Sequence, residues 1–204
     1  LKQNVLTHLY IEGSNFTTKV FLNGSVVGEF KGGYVPFNFD ISQFLNDGEN
    51  ILLIQTDNTL NESTVPTHKT DWWPWGGIVG DVYLVETPND YIRNAYLQLN
   101  PDNFSEAVFK LQMATKSSRQ KVILEIPELN YKEEFGTDSS GFIQKNITIS
   151  PELWSPSNPK LYKVIISSQN ESISDEIGFR SIKTKGQKIY LNNNEIKFKG
   201  IAMH

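Results

Sequence analysis

The chain has 204 residues, 38% of them hydrophobic and 21% charged, and a formal net charge of −4. It can bury a core, so it is not compositionally disordered, and its length suits one or two domains. The acidic balance gives no basic face for nucleic acid, and no run approaches the ~18 apolar residues of a membrane span.

There is no Cys, so disulfides and thiolate chemistry are excluded and the compartment stays open. The chain opens at Leu1 without Met or a signal-peptide pattern, and reads as an excised fragment.

Period-two alternation bounded by Gly, Asn, Asp and Pro dominates, and amphipathic helical period is nearly missing. The pattern predicts an all-β chain. Strands are expected over 6–11 and 19–22. Asn23-Gly24 tolerates positive φ at both central positions and predicts a hairpin turn, with 26–30 as the return strand. Gly32-Gly33 breaks that strand, and 34–39 alternates and reads as extended. Asp40 is expected to cap a short turn over 41–45 that ends at Gly48. Residues 51–55 read as a buried strand, 57–70 as a long polar loop and 81–86 as another strand.

Thr87-Pro88-Asn89-Asp90 marks an expected domain boundary. Beyond it, strands are expected at 93–99, 107–114, 121–126, 130–135, 142–149, 161–167 and 172–177. Seven short strands at this spacing predict an immunoglobulin-like sandwich. A second boundary is expected near 183–187, then a hairpin over 188–199, and the chain runs out through Gly200-Ile201-Ala202-Met203-His204.

Little in this sequence carries chemistry directly. His8, His68 and His204 are far apart and form no H-x-x-x-H arrangement, so no metal or other cofactor is expected. No nucleophile elbow and no P-loop occurs. Glu133-Glu134 and Asp175-Glu176 fall on strand edges and turns and read as solvated charge, not as the opposed carboxylates of a glycosidase. N-x-S/T triplets at Asn15, Asn23, Asn61, Asn103, Asn146 and Asn170 read as chance matches in an Asn- and Ser-rich chain.

One segment stands apart: Asp71-Trp72-Trp73-Pro74-Trp75-Gly76-Gly77-Ile78, which holds three of the four Trp. Indole rings stack on the C–H faces of pyranose rings, and a neighbouring carboxylate accepts hydrogen bonds from sugar hydroxyls. Core or inter-domain packing is the competing use of each Trp. Asp71, at the lip of a Gly-loosened loop, has no evident core role.

Three separated segments resemble family 2 glycoside hydrolases, the group of β-galactosidases, β-glucuronidases and β-mannosidases. Val20-Phe21-Leu22-Asn23-Gly24 with Gly32-Gly33-Tyr34-Val35-Pro36-Phe37-Asn38-Phe39-Asp40-Ile41 resembles the middle of the family's N-terminal jelly-roll. The Trp segment, with Asp81-Val82-Tyr83-Leu84 and Thr87-Pro88, resembles its closing strand in a form close to β-glucuronidases. Pro151-Glu152-Leu153-Trp154-Ser155-Pro156, Pro159-Lys160-Leu161-Tyr162 and Gly178-Phe179-Arg180 resemble the immunoglobulin-like second domain. Leu191-Asn192, Phe198-Lys199-Gly200-Ile201 and His204 resemble the lead-in hairpin and first strand of the catalytic (β/α)₈ barrel.

The resemblance implies a partial jelly-roll sugar-binding domain over 1–88, an immunoglobulin-like sandwich over 89–184 and a truncated barrel lead-in over 185–204. It implies that Asp71 binds hydroxyls of the −1 sugar and that His204 lines the same pocket, at the C-terminal end of a barrel strand. Trp73 and Trp75 are the further substrate-binding candidates, and no residue matches the two catalytic Glu. Two departures bear on which sugar is read: Gly80 stands where Arg is usual, and Pro74 and Trp75 stand where Asn and Tyr are commoner.

The leading expectation is the accessory region of a retaining exo-β-glycosidase, inactive by itself, whose partners are a β-linked carbohydrate and the barrel. A stand-alone carbohydrate-binding module is the alternative. A purely structural or adhesive sandwich protein is a third reading and leaves the barrel-like tail unexplained. Because the chain begins partway into the jelly-roll, an exposed sheet edge and a homodimer are expected.

Overall fold

The computed structural model describes residues 5–62, 64, 67, 73, 75–114 and 119–202. The chain divides into two compact units, Leu1–Asn89 and Asp90–His204. Each is a β structure, and the two are taken separately.

The first unit contains β1 (Val5–Ile11), β2 (Ser14–Asn15), β3 (Thr17–Leu22), β4 (Ser25–Lys31), β5 (Phe37–Asp40), β6 (Leu52–Asp57), β7 (Gly77–Ile78) and β8 (Val82–Pro88). Two three-stranded antiparallel sheets, ordered β5-β1-β8 and β4-β3-β6, are joined by the small β2-β7 pair. The inward positions follow the period of two. In β3, Thr18, Val20 and Leu22 are buried while Thr17, Lys19 and Phe21 are only half-buried. Leu9, Ile11, Val20, Leu22, Phe37 and Ile41 form the core between the sheets. Each side chain so buried contributes roughly 1.5–3 kcal/mol relative to exposure.

The Asn23-Gly24 turn forms as its residues require, with φ of 52° and 79°. Asn23 also ties that turn to the chain ahead of β6. Its Nδ2 donates to the Phe44 carbonyl and to Asn50 Oδ1, both at 2.8 Å, and its Oδ1 accepts from Ile51 N at 2.9 Å. Asp40 Oδ1 accepts from Ser42 N at 3.0 Å, but the N-cap of the short 3-10 turn Ser42–Phe44 is Ile41 and no side chain caps it, so Asp40 is not the cap expected from the sequence. The extended stretch expected over 34–39 is a strand only at Phe37–Asp40. Tyr34 has a φ of 60° and gives its N–H to the Ser14 carbonyl at 2.9 Å, outside any ladder.

The second unit contains β9 (Tyr91–Leu99), β10 (Glu106–Ala114), β11 (Lys121–Ile126), β12 (Tyr131–Gly136), β13 (Phe142–Thr148), β14 (Tyr162–Ser167) and β15 (Ser172–Ile177). A three-stranded sheet, β13-β10-β9, and a four-stranded sheet, β12-β11-β14-β15, enclose one core. This is an immunoglobulin-like sandwich. Phe109, Leu111, Val122, Leu124, Val164 and Phe179 are fully buried in it. Phe109 and Phe135 cross it with ring centroids 5.5 Å apart.

A meander of β16 (Ile182–Lys185), β17 (Lys188–Leu191) and β18 (Asn194–Ile196) follows. Its second turn uses Asn192 and Asn193, with φ of 50° and 66°. Asn192 fastens the meander to the sandwich, donating to the Trp154 carbonyl and accepting from Ser181 N, both at 3.0 Å. Trp154 in turn gives its N–H to the Phe179 carbonyl at 2.9 Å and lies under the Arg180 guanidinium. The strand expected to continue to Lys199 stops at Ile196. Residues 197–202 carry no regular structure and make no ladder among the described residues.

Candidate functional site

The Trp-rich segment enters β7 and is held by backbone contacts. Ser14 and Asn15 of β2 pair with Ile78 and Gly77. Val79 N donates to the Gly13 carbonyl at 3.0 Å, and Asp81 N donates to Glu12 Oε2 at 3.0 Å. The Trp75 carbonyl accepts two side-chain donors, Asn15 Nδ2 at 3.0 Å and Tyr34 Oη at 3.1 Å. Asn15 is 1% exposed, and its Oδ1 has no partner among the described residues. The Asn15–Phe16 peptide is cis.

The glycines are sterically required. A Cβ at Gly76 would lie 2.4 Å from Asn58 Nδ2, and Gly77 has a φ of 92° that L side chains rarely adopt. At Gly80 a Cβ would meet the Glu12 Cβ at 2.7 Å, so the position where Arg is usual in the resembling family is closed here by Glu12.

With the backbone fixed, the indoles point outward. Trp73 is 86% exposed and Trp75 is 74% exposed. Neither is packed in the core of this unit, so two large apolar rings stand in water on an anchored loop. Contiguous exposed apolar surface is what marks interaction sites, whereas singly scattered apolar residues are ordinary. At the end of β6, the Thr59 hydroxyl and N–H hold the Asp57 carboxyl below its usual pKa.

Asp71 and His204 lie outside the described residues. Of the other His, His8 is buried in β1 with Nε2 3.1 Å from Thr87 Oγ1. Among the described residues no group of three His, Asp or Glu is placed to hold a metal ion. Asn15 and Tyr34 anchor this loop, a role that sequence reasoning does not reach. Their partner is a backbone carbonyl 60 and 41 residues away, and a carbonyl has no residue identity to read.

The model for the sugar binding domain of glycosyl hydrolases family 2 matches residues 2–88, and the model for glycosyl hydrolases family 2 matches residues 90–180. The chain belongs to glycosyl hydrolase family 2. It carries the sugar-binding domain and the immunoglobulin-like domain, both non-catalytic.

A putative beta-glucuronidase of Formosa agariphila is 28% identical over 218 residues, covering 100% of this chain and 26% of its own length. A beta-galactosidase of Thermoanaerobacter pseudethanolicus is 28% identical over 217 residues, covering 97% of this chain and 29% of its own. The solved beta-D-glucuronidase of Dictyoglomus thermophilum is similar with a TM-score of 0.73 at 26% identity, covering 97% of this chain and 38% of that one. The chain thus spans less than a third of the length of these two curated relatives.

Proposed function

We propose that the chain is the accessory region of a retaining exo-β-glycosidase of the β-glucuronidase or β-galactosidase type. Residues 1–88 supply the sugar-binding domain, 89–184 the immunoglobulin-like support and 185–204 the lead-in to a catalytic barrel. In the intact enzyme one Glu of the barrel attacks the anomeric carbon, and another protonates the leaving group and then activates water. Asp71 binds hydroxyls of the −1 sugar, and His204 lines the same pocket. Trp73 and Trp75 give stacking surface to the glycoside.

The observation that carries this reading is the loop itself: two exposed indoles on a backbone held by Asn15, Tyr34 and the β2-β7 pair. The test has two arms. The purified chain should hydrolyse neither an aryl β-glucuronide nor an aryl β-galactoside, and turnover by it would overturn the reading. In the intact enzyme, Asp71→Asn should lower kcat/KM by at least about tenfold, a loss of ~1.4 kcal/mol in transition-state binding. Unchanged kcat/KM would remove Asp71 from the pocket.

The same exposed indoles also support a carbohydrate-binding module that works without a barrel. That reading expects calorimetric glycoside binding by the chain alone, abolished by Trp73→Ala.

A homodimer is the third element of the proposal. Among the described residues β6 and β8 each end a sheet, and Leu53 (59% exposed) and Leu84 (60% exposed) sit on them. Unpaired, apolar strand edges recruit further strands. A single monomeric species in sedimentation at high concentration would exclude the dimer.

A further inference from the structure

The outer face of the β13-β10-β9 sheet differs from an ordinary solvated sheet face. The registers place Tyr96, Lys110 and Gln144 abreast across its three strands. On one side of that row Asn94 and Gln112 lie opposite each other, with Phe142 next to Gln112. On the other side Gln98 pairs with Val108, and Val108 with Asn146. Three rows of three thus hold five amides, two aromatic rings, one Val and one Lys, without a carboxylate. The partner sheet of the same sandwich provides the contrast. Its outer face is charge-paired across strands, with Lys121–Glu134 at 2.8 Å and Lys132–Glu125 at 2.9 Å. Such pairing is the usual way to solvate an antiparallel face.

A shallow, open depression of about 440 Å³ lies on this face between Asn94, Tyr96, Gln98, Lys110, Gln112 and Phe142, with Gln144 and Asn146 beyond its rim. That size is in the range of small-ligand sites. Tyr96 is 49% exposed, and its hydroxyl donates to Gln98 Oε1. Gln112 is held from behind by the Met113 and Ser140 carbonyls. The side chains of Asn94, Lys110, Gln144 and Asn146 have no partner among the described residues, so donors and acceptors of both kinds stand open to a ligand. Four residues along β9 and two strand spacings across give a platform of roughly 13 by 10 Å. That is far below the ~800 Å² that each partner of a stable protein complex covers. Protein interfaces also favour apolar centres and are depleted in Lys.

We propose that this face is a second carbohydrate site, independent of the Trp loop, and that it takes a uronate-bearing oligosaccharide. One sugar ring lies on Tyr96, its carboxylate meets Lys110, and the flanking amides bind hydroxyls of the neighbouring rings.

The test is an NMR titration of the isotope-labelled chain with a β-1,4-linked glucuronate hexasaccharide and with its neutral glucose counterpart. The glucuronate chain should shift backbone amides of β9, β10 and β13 saturably and bind more tightly than the neutral one. Tyr96→Ala and, on a different strand, Gln144→Ala should each weaken that binding by about tenfold or more, at unchanged circular dichroism. Lys110→Met should erase the preference for the charged chain, and Trp73→Ala should leave this set of shifts untouched. Equal affinity of the wild-type chain for both sugars overturns the uronate assignment. Shifts confined to the Trp loop, or undiminished binding in Tyr96→Ala and Gln144→Ala, overturn the site while leaving the Trp loop reading intact.

Discussion

Asn15 fixes the Trp loop, and Asn15→Asp examines that role at constant shape. The replacement leaves no cavity, so its cost is electrostatic. The wild-type Nδ2 donates to the Trp75 carbonyl at 3.0 Å, and the side chain is 1% exposed. An ionised carboxylate there would set an oxygen against that carbonyl oxygen, out of water. The new acid therefore stays protonated in the folded chain, where its O–H replaces the lost N–H donor. Burial of this kind raises a carboxyl pKa by up to ~3–5 units above the ~3.9 of the unfolded chain. The folded pKa lies above the unfolded one, so the variant matches the wild type below about pH 4. Above that it loses ~1.4 kcal/mol per pH unit until the folded pKa is reached. The full penalty is ~4–7 kcal/mol, enough to unfold the unit or to force the loop off Asn15. Urea midpoints of both chains from pH 4 to pH 8, followed by Trp fluorescence, give the difference directly. A pH-independent difference, or one under about 1 kcal/mol at pH 7, would mean that water reaches Asn15 and that this contact does not hold the loop.

Trp75→Ala should change stability by no more than ~0.5 kcal/mol, because the ring is 74% exposed, while glycoside binding by calorimetry falls. A stability loss above about 2 kcal/mol would mark Trp75 as packing instead. Phe109→Ala should cost ~3–5 kcal/mol by chemical denaturation, since the ring is fully buried against Phe135. The Asp138 carboxyl accepts from the Ser140 hydroxyl, from Phe142 N and from Ser140 N, which together hold it below its usual pKa. Ser140→Ala should move its NMR titration midpoint upward. The stability it contributes is present above the unfolded carboxyl pKa and is lost as pH falls through the folded one.

The sandwich of the second unit was nearly all legible. The expected strands over 121–126 and 172–177 coincide with β11 and β15, and the other five fall within two residues of their observed bounds. β10, β11 and β14 alternate cleanly because one face of each is buried, and burial on one face is what writes a period of two into sequence, whereas β15 is exposed along its length up to the half-buried Ile177. The first unit is less regular. β2 and β7 are two residues each, too short for any periodicity, and β16 arises in a Lys- and Gly-bearing stretch that reads as linker. The Trp loop was legible as composition, and Trp73 and Trp75 are exposed rather than packed in the core of the first unit. Its anchors were not legible. Asn15 falls in an N-x-T triplet whose obvious readings are glycosylation or chance, and neither leads to a carbonyl on a distant loop.

That mode of anchoring bears on how such a loop specialises. Asn15 and Tyr34 grip the carbonyl of residue 75, and β7 is paired through its backbone, so neither contact depends on the side chain carried at 75. Position 73 is likewise tied through its carbonyl, which accepts from Trp75 N at 3.0 Å. Substitution at 73 and 75 therefore changes the surface offered to a ligand without loosening the loop. The glycines are under the opposite constraint. Gly76 and Gly80 are closed by Asn58 and Glu12, and Gly77 is fixed by its positive φ. Variation is thus channelled onto the two exposed indole positions. In this chain Pro74 and Trp75 depart from the Asn and Tyr commoner in the resembling family, and at 75 the departure alters an exposed ring while the grip beneath it is kept.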